Sequence, residues 1–103
     1  MKIAIQSIHF DADIKLLEFI QTKTKKLEQH FNQVIHAEVF LRLQRSDTEE
    51  NKISEIKLHI PGAYLFAKKQ CKTFKEGTDL AVESLIKQLE RIKKRLGATQ
   101  QTL

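Results

Sequence analysis

Glu55-Ile56-Lys57-Leu58-His59-Ile60-Pro61-Gly62-Ala63-Tyr64-Leu65-Phe66-Ala67-Lys68-Lys69 is the stretch whose pattern decides the fold. Ile56, Leu58 and Ile60 alternate with Glu55, Lys57 and His59, the period-two signature of a strand with one buried face. Pro61-Gly62 is a turn signal, because proline presets its own φ and glycine accepts a left-handed backbone. Residues 63–69 then alternate again, with aromatic character, and predict a second strand. Upstream, Val39, Leu41 and Leu43 alternate with Glu38, Phe40, Arg42 and Gln44. The polar run from Arg45 to Asn51 separates this strand from the next. The three runs predict an antiparallel meander.

Helical periodicity flanks the meander. Leu17, Ile20, Thr24, Leu27 and Phe31 recur at spacings 3, 4, 3, 4, one face of an amphipathic helix over about residues 13–31. Asp11-Ala12-Asp13 offers its N-cap. Before it, Ile3 and Ile5 alternate with Lys2, Ala4 and Gln6, a further strand. After the meander, Thr73-Phe74-Lys75-Glu76 has the Thr-x-x-Glu form of a capping box. Val82, Leu85, Leu89, Ile92 and Leu96 repeat the helical spacing, and Gly97 is a natural stop. The order β-α-β-β-β-α predicts an α+β fold with two helices packed on one face of a four-stranded sheet. Residues 1–97 form a single domain in this reading, and 98–103 a short flexible tail. The free face of the sheet takes Phe40, Tyr64 and Phe66.

Composition bounds the function. A chain of 103 residues with 41% apolar residues suits one soluble domain. A single cysteine, Cys71, excludes an intrachain disulfide and fits a reducing compartment. No apolar run approaches the roughly 20 residues of a membrane span. The opening Met1-Lys2-Ile3-Ala4-Ile5-Gln6 has no signal-peptide core. A cytoplasmic location without a membrane partner is expected. Charge is unevenly placed: residues 1–50 hold seven Lys/Arg and eight Asp/Glu, and residues 51–103 hold eleven and five. All of the net +5 therefore arises in the second half, which points to a polyanionic partner.

Catalytic arrangements are missing. There is no glycine-rich phosphate loop. Lys69 and Lys72 beside Cys71 could depress its pKa, but no base accompanies it. His9, His30, His36 and His59 show neither an i, i+4 helical pair nor Cys–His ligand spacing. No enzyme activity, catalytic residue, metal site or cofactor is expected. The cations form a pattern. Lys87, Arg91, Lys94 and Arg95 make a stripe beside the apolar one on the second helix, and Lys23, Lys26 and His30 make one on the first. Arg42 projects from the second strand, opposite the core phase. Such cations contribute affinity for a polyanion by neutralising phosphates and releasing counterions, and a rigid helix pair can match a folded RNA backbone by shape. The competing reading is an ordinary solvated face, in which Glu83 serves Lys87 and Glu90 serves Lys94 at i, i+4. From the residues alone, a structured-RNA-binding module and a protein-interaction domain using the open sheet face both remain.

The sequence resembles the short ribosome hibernation promoting factors and ribosome-associated inhibitor proteins over about residues 1–96. The resemblance is carried by Ile3-Ala4-Ile5-Gln6-Ser7, by Lys26-Leu27-Glu28 before Phe31, and by Glu55-Ile56-Lys57-Leu58-His59-Ile60 before Gly62. It continues through Asp79-Leu80-Ala81-Val82-Glu83-Ser84-Leu85 and Lys87-Gln88-Leu89-Glu90-Arg91. It implies a fold related to double-stranded-RNA-binding domains. It also implies a partner, the ribosome, met through small-subunit ribosomal RNA in the channel used by messenger and transfer RNA. The implied outcome is silenced translation in slow growth and, in one branch, ribosome pairing with an accessory factor. The RNA-binding role carries by position to Lys23, Lys26, Lys87 and Arg91, and also to Arg42, Lys94 and Arg95. Two departures stand out. Gly77-Thr78-Asp79 replaces the Asp-Met-Tyr segment of many members. The chain also has no room for the dimerising domain of the long forms, so pairing would need another factor.

Overall fold

The computed structural model describes residues 1–45 and 48–101, the last six of these as backbone alone. Its elements are β1 (Lys2–Ile8), α1 (Ile14–Lys25), α2 (Leu27–His30), β2 (His36–Leu43), β3 (Lys52–Ile60), β4 (Ala63–Cys71) and α3 (Phe74–Gln101). The hairpin at the centre forms as its sequence predicts. Ile60 pairs with Ala63 across a two-residue turn, and Gly62 has φ of 79°. Proline followed by a positive-φ glycine is the arrangement of a type II turn.

One four-stranded sheet results, in the order β1-β2-β3-β4. β2, β3 and β4 form the antiparallel meander. β1 lies parallel to β2, with Ile5 opposite Val39. Parallel neighbours need a crossover of a dozen or more residues, and α1 with α2 supplies it. The chain enters that crossover through His9, whose φ of 64° places a non-glycine residue in the left-handed region.

Both helical segments and α3 cover one face, so the predicted α+β architecture of two helices on a four-stranded sheet is the one observed. Alternation decides which side chains go inside. Ala37, Val39 and Leu41 from β2 and Ile56, Leu58 and Ile60 from β3 are buried against Ile20, Leu27, Phe31, Val82, Leu85 and Leu89. The predicted helix over 13–31 is two segments, because the backbone tightens at Lys26. Its N–H is shared between the carbonyls of Lys23 and Thr24 while its own backbone stays helical. Asp13 is the N-cap of α1, but its carboxylate makes no capping bond.

At the start of α3, the Glu76 N–H donates to Thr73 Oγ1 at 3.1 Å, one half of the predicted capping box. Phe74 stacks on Phe10 with ring centroids 5.1 Å apart, tying this end of α3 to the β1–α1 connection. Gly97 does not end the helix, which runs on to Gln101. A glycine costs about 1 kcal/mol in a helix interior, and no proline follows to add to that cost. Of the predicted tail, residues 98–101 are helical, and Thr102 and Leu103 lie outside the described residues.

Candidate nucleic-acid interface

The predicted cations separate into three groups. Lys23 and Lys26 project from α1 and its junction with α2 into a groove shared with α3. The same groove is lined by Glu76, Asp79, Leu80, Val82, Glu83 and Ile86. Lys23 is held there: its Nζ lies 3.3 Å from Asp79 Oδ1 and 5.5 Å from the centre of the Phe19 ring. Lys75 approaches the same ring at 5.4 Å. Asp79 belongs to the segment that replaces Asp-Met-Tyr. Gly77 and Thr78 of that segment are buried, so the position is given to packing and an ion pair.

Lys87, Arg91, Lys94 and Arg95 are exposed on α3. At 100° per residue, Lys87 and Arg91 lie on the side of the helix ridge away from α1, beyond Glu83. Both cationic stripes therefore occupy the helical layer, as expected, but carboxylates of α3 stand between them. The i, i+4 partners suggested by spacing are not engaged. Among the described residues, Lys87, Arg91 and Lys94 form no ion pair. Lys93, absent from the predicted stripe, is exposed beside Lys94, and residues 93–95 are exposed in succession while Ile92 before them packs against the core. The proximity of Lys93 to Lys94 in the sequence was the signal available.

Arg42 is apart from both groups. It sits on the open face of the sheet and is ion-paired with the Glu55 carboxylate, which Lys68 also approaches at 3.9 Å. Cross-strand register explains the cluster. Glu55 lies opposite Lys68 and also opposite Phe40, two positions along β2 from Arg42 and so on the same face. Phe40, Tyr64 and Phe66 are on this face as predicted, with Tyr64 and Phe66 55% and 52% exposed. Sequence spacing gave no hint of a histidine contact there. His36 and His59 pair across β2 and β3, with Nδ1 atoms 3.4 Å apart.

The depression of the Cys71 pKa that its neighbouring lysines could cause is outweighed in the fold. The thiol is buried. Burial pushes its pKa up, Glu76 and Glu50 push the same way, and Lys69 alone opposes them. Lysines adjacent in sequence are outweighed by desolvation and by carboxylates brought close in space. Among the described residues there is no group of three or more metal-ligating side chains, and no helix is long and apolar enough to cross a membrane.

Known proteins share this architecture. The chain superposes on a ribosomal subunit interface protein from Coxiella burnetii with a TM-score of 0.79 at 18% identity, covering 91% of this chain and 99% of that one. The Protein Y N-terminal domain of Thermus thermophilus gives 0.76 at 19%, covering 89% and 99%. In sequence, it is 28% identical over 96 residues to a ribosome hibernation promoting factor of Salmonella typhimurium, spanning 93% of this chain and 97% of that protein. The pattern of the family described as Sigma 54 modulation protein / S30EA ribosomal protein matches residues 3–97. With nearly the whole sheet and helical layer inside that match, the chain belongs to the Sigma 54 modulation protein / S30EA ribosomal protein family.

Proposed function

We propose that this protein is a non-enzymatic, cytoplasmic dormancy factor that binds the ribosome, occupies the messenger and transfer RNA channel of the small subunit, and silences translation by steric occupation. The observation that carries this reading is the exposed row Lys87, Arg91 and Lys94 on α3, in a chain similar over 96 residues to a ribosome hibernation promoting factor. Three cations on one rigid helix, without carboxylate partners among the described residues, are placed to neutralise phosphates at fixed spacing. Affinity gained in this way falls steeply with salt. Lys26, Lys23 and Arg95 extend the proposed surface across the helical layer. Arg42 does not, since it faces the other way and is neutralised by Glu55. Promotion of ribosome pairing, together with an accessory factor, belongs to the same proposal.

Sedimentation of the purified protein with ribosomes tests the proposal. Co-sedimentation with small subunits at low salt is expected, with progressive loss as salt rises. Lys87→Glu combined with Arg91→Glu is expected to abolish it while the circular dichroism spectrum stays unchanged. Undiminished binding by the folded double variant would show that α3 is not the contact. Equal affinity for arbitrary duplex RNA would favour a general structured-RNA module instead. A protein-interaction role rests on the exposed Tyr64 and Phe66, and salt-insensitive binding that Phe66→Ser removes would favour it.

A further inference from the structure

We propose that His36 and His59 form a chelating pair for a divalent transition metal, with Zn2+ the best fit, on the sheet face opposite the helices. The two residues are 23 positions apart in sequence and directly opposite each other in register on β2 and β3. Their Nδ1 atoms are 3.4 Å apart. That is long for a hydrogen bond between two ring nitrogens, since N–H donors ordinarily sit at about 2.7–3.2 Å from their acceptors. It suits a shared metal ion. With zinc–nitrogen distances of about 2.0–2.1 Å, a separation of 3.4 Å corresponds to an N–Zn–N angle of about 112°, close to tetrahedral. A right-angled geometry at the same bond lengths would need the nitrogens about 2.9 Å apart.

The surroundings hold both rings for this role. His36 Nε2 lies 3.4 Å from Glu38 Oε1. A carboxylate at Nε2 favours the tautomer that keeps its proton there and leaves the Nδ1 lone pair for a metal, the arrangement that orients many metal-bound histidines. His59 stacks on Tyr64, with centroids 4.5 Å apart and planes 16° from parallel. The rings of His36 and His59 meet edge to face at 4.8 Å. Both imidazoles are partly exposed, so an ion can reach them. Lys2 lies beside His36 in register and weakens the attraction for a dication. Lys57 does so less, because its ammonium is drawn over the Tyr64 ring at 4.3 Å. With two protein ligands, the remaining positions go to water, and the site remains open to a further donor. Histidine spacing along the chain could not reveal it, because only strand register brings the two residues together.

The test is a Zn2+ titration of the full chain, followed through the imidazole nitrogen resonances of 15N-labelled protein. The Nδ1 resonances of His36 and His59 are expected to move together and saturate at one ion per chain, below about 1 mM Zn2+. His36→Gln or His59→Gln is expected to weaken binding at least about tenfold, whereas His30→Gln and Cys71→Ser leave it unchanged. The proposal is overturned if the two resonances stay fixed up to about 1 mM Zn2+, or if the folded His36→Gln/His59→Gln double variant binds as tightly as the native chain. Should the variants fail to fold, the nitrogen resonances of the native chain decide alone.

Discussion

Gly77 sits where a methyl group has no room. A Cβ there would lie 2.9 Å from Ser54 Oγ and 3.2 Å from Ser54 Cβ, and Ser54 is itself buried and bonded to the Phe74 carbonyl. In sequence, this glycine reads as a helix-weakening residue. In space, it lets the first turn of α3 press onto β3. Gly77→Ala gains about 1 kcal/mol in helix propensity and loses about 1–3 kcal/mol to overpacking. Net destabilisation of about 1 kcal/mol is expected, seen as a lower urea midpoint at unchanged slope. Cys71 gives a second test. Its folded pKa is raised, chiefly by burial, so the folded chain holds the thiol proton more tightly than the unfolded one. The linked stability is fully present below the ordinary thiol pKa and is lost as pH rises from that value through the raised one. Urea midpoints should therefore fall over that alkaline window in the native chain, and less so in Cys71→Ala. Alkylation at neutral pH should be slow until the chain unfolds. Neither property was legible from neighbouring residues, because Ser54 and Glu50 reach Gly77 and Cys71 through the fold.

The strands and helices were largely legible, for a physical reason. Each has one buried face, and a one-residue slip in a strand would expose the whole apolar set. The alternation alone therefore assigns Val39, Leu41, Ile56 and Leu58 inward and Phe40 and Tyr64 outward, as they are found. Local pattern does not determine which charged faces meet. The two cationic stripes could be seen, but not the placement of α3 carboxylates between them, which depends on how α3 is rotated against α1. That placement is testable. Lys23 is tied to Asp79 at 3.3 Å, with both side chains partly exposed, so the pair adds no more than about 1 kcal/mol to stability. Asp79→Asn removes a negative charge from the proposed binding layer and releases Lys23. It is expected to leave the thermal midpoint nearly unchanged and to tighten ribosome binding severalfold at low salt, with the gain shrinking as salt rises. Weaker binding by the folded variant would mean that Asp79 itself contacts the partner.

Taken whole, the molecule measures 54 × 25 × 19 Å, and its long dimension fits α3, whose 28 residues extend about 42 Å. The protein is not equally secured throughout. β2, β3 and β4 are joined by hairpin and loop to one another, and α3 packs across β3 and β4. β1 touches the sheet only along β2, in parallel register, and needs the α1–α2 crossover to do so. Detaching β1 together with α1 would therefore leave a three-stranded remnant with its helix still docked. Such partial opening costs less than complete unfolding. Amide hydrogens of β1 should consequently exchange with deuterium faster than those of β3, by a margin that mild denaturant narrows as complete unfolding takes over. Exchange at equal rates in both strands would show that the domain opens only as one unit. The first-opening piece carries Lys23 and Lys26, and the durable remnant carries Lys87 and Arg91. A partner gripping both helices would thus act as a clasp, and the deuterium clock of β1 would slow when the ribosome is bound.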